Sequence, residues 1–488
     1  MYKRILPPVL LFLVFFAGMS VVQFSTPNLP DNDGFYHIKL AWLMRTEGLK
    51  PDFPWLPLSI LNEREYYDHH FLFHVALIPF TFGDLLAGAK WAAVTFSALA
   101  FMAVWYLFHR QRIPFAWLWA AALLGVSDAF LYRMSITRAQ SLSLGVLALG
   151  LTWMLEGKYK PLAVLSFFYV WMYNAFPLML ALAGLQVAAA FILERRLDFR
   201  PVIWVGAGLL AGLIINPYFP NNLIFTYHHY LPKLIDMESI RVGNEWYPYD
   251  TGQLLDNSLP ALVAFASGIF ALGLSGRKME LRTLMALLLT LFFGLMLFKA
   301  RRFVEYFPPF ALIFTVFAFA PLLEQKQEVD GPRWLTYFPR SLLILAVIIG
   351  TMISIPAAQG QISKSKPANL YEGASDWLEA NTPKGARIFQ TDWDDFPRLF
   401  FYNTHNTYLA GLDPTYFQIY DADLYNEWVA ITRGDVEMPS EVIRSQFFAR
   451  YIHTDLEHDD FIRQAEDDPG LREVYRDEQA VIYEVLER

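Results

Sequence analysis

No cysteine occurs anywhere in the chain. Disulfides, thiolate catalysis and cysteine-ligated metals are therefore excluded, although the absence alone names no compartment. Charge is scarce as well: Asp, Glu, Lys and Arg make up 18% of the 488 residues, against 55% hydrophobic and 17% aromatic side chains. With a mean hydropathy of +0.29 the chain is too apolar for a soluble globule. It contains no internal repeat and no low-complexity run. No small-residue cleavage site follows the opening "MYKRILPPVLLFLVFFAGMSVVQF", so this segment reads as a retained first span rather than a signal peptide.

What is present is a series of apolar runs of membrane-spanning length. Ten follow the first, near 87–108, 114–131, 142–156, 161–175, 177–193, 201–217, 258–275, 282–299, 303–323 and 341–358. About 11 transmembrane helices put the termini on opposite sides. The positive-inside rule tests this, because cytoplasmic loops carry the excess Lys and Arg. The loops assigned inside hold Lys3 and Arg4; Arg110 and Arg112; Lys158 and Lys160; Arg195, Arg196 and Arg200; Arg277, Lys278 and Arg282; and Lys326, Arg333 and Arg340. All agree with a cytoplasmic N-terminus in an inner membrane. Counting "HHFLFHVALIPFTFGDLLAGA" (69–89) as a span inverts every later loop, so it reads as a re-entrant or interfacial helix.

From Gln361 onward the composition changes. This part carries 12 Lys or Arg against 25 Asp or Glu, a net −13, while the remainder carries +5. The expected organisation is a transmembrane domain at 1–359, with large outer loops at 24–86 and 218–257, and a separate α/β domain at 360–488 outside the cytoplasm, periplasmic or extracellular. Within it "GASDWLEANTPKGARIFQTD" predicts a helix, a turn and a strand, and "REVYRDEQAVIYEVLE" predicts two closing strands.

The informative charges are those that break the positive-inside pattern. Arg133 and Arg138, then Lys299, Arg301 and Arg302, fall at the outer mouths of spans. Snorkelling to lipid headgroups is the plain explanation. An outward-facing anion site is the sharper one, since a guanidinium fork holds phosphate oxygens in pairs. Acidic and aromatic segments share that face: Asp31 and Asp33, then Asp68, His69, His70 and His74 in "EYYDHHFLFH", Glu245 in "VGNEWYP", and "QTDWDDFPRLFFYN". Such a surface suits a divalent metal, a phosphorylated ligand and sugars.

"NDGFYH", "VGNEWYP", "RRFVEYFPPF" and "WLEANTPKGARIFQTDWDDF" occur in that order. This order resembles the catalytic subunit of oligosaccharyltransferases, within the GT-C superfamily of membrane glycosyltransferases. The resemblance implies a GT-C fold, a sugar donor on a polyprenyl phosphate or diphosphate, an acceptor glycan, lipid or protein at the outer leaflet, and contact with membrane lipids; no nucleic acid is expected. It implies that Asp33 binds metal and orients the acceptor, that Arg302 grips the donor phosphate, and that Glu245 contacts acceptor and metal; the placement of the charges themselves adds Arg301 or Arg138 beside Arg302. Mn2+ or Mg2+ is the implied ion, with Asp33, Asp68 and His69 as candidate ligands. Trp393, Asp394 and Tyr36 are the candidate acceptor contacts.

Two departures accompany the likeness. The family's second-loop carboxylates are missing, the loop here reading "YRMSITRAQSLSL" with Arg138 and Gln140, and the family's acceptor-reading stretch is replaced by Asp392-Trp393-Asp394-Asp395-Phe396. The reaction read from the residues is a single inverting displacement at the anomeric carbon. Asp33 acts in it as base or orienting group and Arg302 stabilises the leaving phosphate. The competing roles stay open: Asp33 as a helix cap, the His70–His74 pair as structural, and the chain as a lipid-linked glycan transporter or a noncatalytic GT-C-like partner, with Glu305 as the best evidence for transport.

Overall fold

The computed structural model describes residues 2–235, 243–325 and 333–487. Lys326 and the segment 236–242 of the second large outer loop lie outside the described residues. Helices occur at all eleven expected places, because apolar residues with few interruptions leave the backbone no partner but itself in a lipid environment. Among the described residues seven are long and apolar enough to cross a membrane: Leu6–Gln23, Leu85–Arg110, Pro177–Glu194, Thr251–Ser275, Leu281–Lys299, Phe307–Glu324 and Arg340–Ile362.

The count of eleven full spans is therefore not confirmed among the described residues. Gln140–Leu155, Tyr159–Met172 and Arg200–Ile214 have 16, 14 and 15 residues. At 1.5 Å per residue they reach only about 21–24 Å, short of a hydrocarbon core of about 30 Å. The expected span at 114–131 is broken after Gly125, where Ser127, with extended backbone, accepts the Phe130 amide at 3.1 Å and caps a new helix, Asp128–Ser135. The stretch 69–89 is likewise no span. It forms a short helix, Phe71–Leu77, and a tighter turn, Ile78–Thr81, before Asp84 caps the long helix from Leu85. The helix Arg340–Ile362 lies against the broken segment at a glycine pair. A Cβ on Gly125 would stand 2.6 Å from the Gly350 carbonyl carbon, so the two backbones approach as only glycines allow.

Basic residues of three of the loops expected inside lie close together. Arg110 and Lys158 both pair with Glu156, at 2.5 and 2.7 Å, and Arg282 donates to the Gln111 carbonyl at 2.9 Å. The C-terminal sheet lies with the segment that follows the first helix, with which it shares a core. Five strands, β1 (Arg387–Gln390), β2 (Thr407–Tyr408), β3 (Tyr451–Asp455), β4 (Leu471–Arg476) and β5 (Ala480–Val485), pair in the order β2-β1-β3-β5-β4. β1 runs parallel to β2 and β3, and β5 antiparallel to β3 and β4. The helix Glu372–Asn381, β1 and the β4–β5 hairpin are the elements expected. β3 is buried along its whole length and so lacks the alternation that marks a strand in sequence.

This domain shares a core with the first outer loop, where Tyr36, Phe53, Trp55 and Tyr66 pack with Phe396, Phe400 and Tyr408. Trp55 is fixed in the seam: its indole donates to the Thr404 carbonyl at 2.9 Å and its own carbonyl accepts the Tyr408 amide at 2.8 Å. Arg398, 1% exposed, donates to Asn32 Oδ1 and to the Pro367 carbonyl, both at 2.7 Å, with its guanidinium 4.2 Å above the Phe35 ring. Burial lowers its pKa from the ordinary arginine value. An Arg398→Met variant strands those acceptors and should lose roughly 2–4 kcal/mol. Its thermal midpoint in detergent should fall and protease cleavage at 363–371 should rise; an unchanged midpoint would refute the role of Arg398 as a clamp.

Candidate active site

Asp33 opens the helix Asp33–Glu47, whose first turn has no side-chain cap. Its carboxylate is thus free of the capping role and turns to Arg138, with Oδ2 3.1 Å from Nε. Arg138 sits just after the helix Asp128–Ser135, in a tight turn that its amide closes on the Ile136 carbonyl at 2.8 Å. The same guanidinium faces Glu245 at 3.2 Å and Asp31 at 3.6 Å. Glu245, in the turn Asn244–Trp246, also receives Arg133 at 3.0 Å and Arg302 at 3.3 Å. Arg302 is braced by the Tyr173 hydroxyl at 3.1 Å and lies 4.3 Å over the Trp246 ring. Four segments far apart in sequence thus meet at one point.

The electrostatics follow from this packing. Although burial opposes its charged form, Arg138, Arg302 and Arg133 hold Glu245 well below the usual carboxylate range. Asp33 is pushed up to about 6 by burial, which outweighs the Arg138 guanidinium. Asp394 in the C-terminal domain is pushed up to about 8 by burial and by Asp31, Asp392 and Asp33, and it accepts Asn32 Nδ2 at 2.8 Å. At neutral pH one carboxyl is ionised and its neighbour is not, the arrangement that separates base from acid. Asp33, Glu245 and Arg302 keep 26%, 21% and 15% of their side-chain surface, so a ligand reaches them, whereas Glu305 keeps 1%. Glu305 is held by Arg133 Nε at 2.7 Å. Its role in the described residues is that of a buried counter-ion.

Several candidates sit elsewhere. Asp68 accepts His74 Nδ1 at 2.8 Å and the His70 amide at 3.0 Å, while the His69 ring stacks on Phe225. Asp33, Asp68 and His69 therefore do not form one ligand set, and among the described residues no three acidic or histidine side chains converge as a metal site. Arg301 braces the Glu245 turn, donating to the Tyr247 and Pro248 carbonyls at 3.3 and 3.0 Å, and does not join the arginine cluster. Trp393 is at the border, its ring 3.7 Å from where a Cβ on Gly243 would stand.

Tyr36, expected as an acceptor contact, packs in the aromatic seam. It is 3% exposed, with its hydroxyl 3.3 Å from that of Tyr66. At 100° per residue, Tyr36 and His37 lie within about 60° of Asp33 on one helix face, and the Tyr36 ring packs into the aromatic seam. Tyr36→Phe should leave turnover unchanged and cost about 1 kcal/mol of stability, read from initial rates and thermal midpoints; a strong loss of rate would return Tyr36 to the site.

His37 was not singled out by its sequence, yet its spacing of four from Asp33 was the available signal. Its Nδ1 lies 2.7 Å from His74 Nε2, continuing the chain from Asp68. Burial, then His74 and Arg138, lower its pKa well below the ordinary value, so the ring is neutral. Tyr173 carried no sequence signal. A cavity lined by Ile60, Glu65, Asn221, Phe225, His228 and Tyr420 shares no residue with this cluster.

No family model and no curated protein matches the chain by sequence. Its fold is nevertheless that of GT-C glycosyltransferases. The apo oligosaccharyltransferase of Archaeoglobus fulgidus superposes with a TM-score of 0.68 at 14% identity, over 95% of this chain and 71% of that one. ArnT from Cupriavidus metallidurans, bound to undecaprenyl phosphate, gives 0.59 at 15% identity over 97% of both chains. The mycobacterial arabinofuranosyltransferase AftD gives 0.57 at 15% identity, over 99% of this chain and 40% of its own. The A. fulgidus enzyme is also known with an inhibitory peptide and a dolichol-phosphate, and with Zn and sulfate.

Proposed function

We propose that the chain is an inverting membrane glycosyltransferase that moves a sugar or oligosaccharide from a polyprenyl-phosphate or polyprenyl-diphosphate donor to an acceptor on the outer face of the membrane. The observation that carries this reading is the convergence of Asp33, Glu245 and Arg302 at the seam between helices and C-terminal domain, on a fold whose solved examples are glycosyltransferases. The N-terminus is cytoplasmic in this reading, which the one-sided basic loops support.

The acceptor's nucleophilic atom attacks the anomeric carbon and the bond from that carbon to the phosphate oxygen breaks. The electron pair leaves with the phosphate. Arg302 meets the charge growing there, since a guanidinium fixed in advance needs no reorganisation during the step. Asp33, ionised at neutral pH, takes the acceptor's proton or its hydrogen bond. Glu245 holds the guanidiniums of Arg133, Arg138 and Arg302 converged, which without a counter-anion would repel one another. Asp394 and Trp393 stand where an acceptor would enter between the two parts of the molecule.

The test is incubation of purified protein with a polyprenyl-diphosphate oligosaccharide or a polyprenyl-phosphate monosaccharide, following freed carrier by mass spectrometry with Asp33→Ala alongside. Diphosphate or monophosphate release, lost in the variant, supports the reading and names the donor class. No release from any donor would shift the reading to a transporter or a noncatalytic partner.

A further inference from the structure

We propose that Arg138 stands in the place of a divalent cation, so that glycosyl transfer by this chain is metal-independent. The inference rests on the reading above for its kinetic arm only. Three carboxylates, those of Asp31, Asp33 and Glu245, face one point without closing on it as a metal site. The occupant of that point is a guanidinium carbon with its three nitrogens: Nε faces Asp33 at 3.1 Å, Nη1 faces Glu245 at 3.2 Å and Asp31 at 3.6 Å, and Nη2 faces the second Glu245 oxygen at 3.5 Å.

The dimensions decide between the two cations. Oxygens that hold Mg2+ close to about 2.0–2.1 Å and number about six in an octahedron. Oxygens spread along the edges of a planar guanidinium lie about 3 Å from each nitrogen, and so leave no room for an ion of that size while the guanidinium is in place. Several other oxygen and nitrogen donors nearby already have partners, although Gln140 Oε1 and His70 Nδ1 are buried without one. Asp68 is bonded to His74 and to a backbone amide, and Asp394 is bonded to Asn32. Gln140, 1% exposed, donates to the Arg133 carbonyl at 2.7 Å. It ties the two ends of the turn that carries Arg138.

Charge points the same way. Burial opposes the guanidinium's charge, but Glu245, Asp33 and Asp31 together raise its pKa well above the ordinary value, so the cation is permanent. An ion entering beside it would meet that charge at close range while Arg133 and Arg302 also face the common carboxylate of Glu245. Arg138 thus performs the orienting task without an exchangeable group, holding the Asp33 carboxylate by one edge and leaving its other oxygen for the acceptor.

Mn2+ binding tests this without turnover. The parent protein should leave the electron paramagnetic resonance signal of free Mn2+ undiminished, and Arg138→Ala, which frees three carboxylates at one point, should remove an equimolar fraction of it. Adding Glu245→Gln to that variant should abolish the uptake. Equimolar Mn2+ binding by the parent, lost in Asp33→Asn, overturns the proposal, as does an Arg138→Ala protein that melts like the parent and takes up no ion. Where turnover is detected, EDTA should change the parent's rate by less than about twofold, whereas a metal-assisted step would be abolished. Absence of turnover with the Mn2+ results as expected would sink the enzymatic reading and leave this one standing.

Discussion

Replacing Asp33 by Asn lowers turnover by about 10²–10⁴-fold, the range for loss of a positioned proton acceptor. The variant keeps the shape of the side chain and its place beside Arg138, so the thermal midpoint serves as the control. The same carboxylate sets the pH dependence. With Asp33 pushed up to about 6, kcat/KM of the parent should rise as pH increases through about 6, because only the ionised form accepts the proton. Asp394→Asn should leave that rising limb in place. Stability moves in the opposite sense: a carboxyl whose folded pKa lies above its unfolded value of 3.8 stabilises the fold most when protonated, and that contribution is lost as pH climbs through about 6. A rate independent of pH across this interval, or an Asn variant as fast as the parent, would remove Asp33 from the proton transfer.

Glu305→Ala should be the most destabilising single change near the site, by about 3–5 kcal/mol, because it leaves the buried guanidinium of Arg133 without its nearest counter-charge. The carboxylate is 1% exposed and its second oxygen has no hydrogen-bond partner, so the Arg133 contact is what compensates its burial. The paired replacement Arg133→Met with Glu305→Leu removes both charges and should melt closer to the parent than either single variant, measured as thermal midpoints in detergent. A Glu305→Ala protein as stable as the parent would show that the pair is not a structural counter-ion, and would reopen transport as the reason for an acidic residue at this depth.

The helices and the C-terminal hairpin were legible because their signals are local. An apolar run of spanning length, a Pro-Gly turn and alternation in "REVYRDEQAVIYEVLE" each lie within a window that one element occupies. Helix lengths were not legible in the same way. Gln140–Leu155 and Arg200–Ile214 are as apolar as a span, and nothing in their composition marks that they stop short. The break at Ser127 depends on a hydroxyl reaching one amide, a contact that a hydropathy window averages away.

The candidate site divides along the same line. Arg138 and Arg302 were recognisable as cations on the wrong side for a membrane protein, and the ordered motifs linked Arg302, Asp33 and Glu245 to a chemistry. Their geometry was not recognisable. Whether Arg138 is a phosphate ligand or a counter-ion to three carboxylates depends on distances between residues more than one hundred positions apart in sequence. Tyr36 shares the helix face of Asp33, three residues on, yet its ring lies buried in the aromatic seam, which its motif did not signal. Sequence by itself determined the multi-pass helical character and the identity of the charged residues, because burial of apolar runs and exclusion of charge from lipid act residue by residue. Only the tertiary structure decided which charges meet and which cation the carboxylates surround, because ion pairing depends on separations of a few ångströms that long-range packing alone sets.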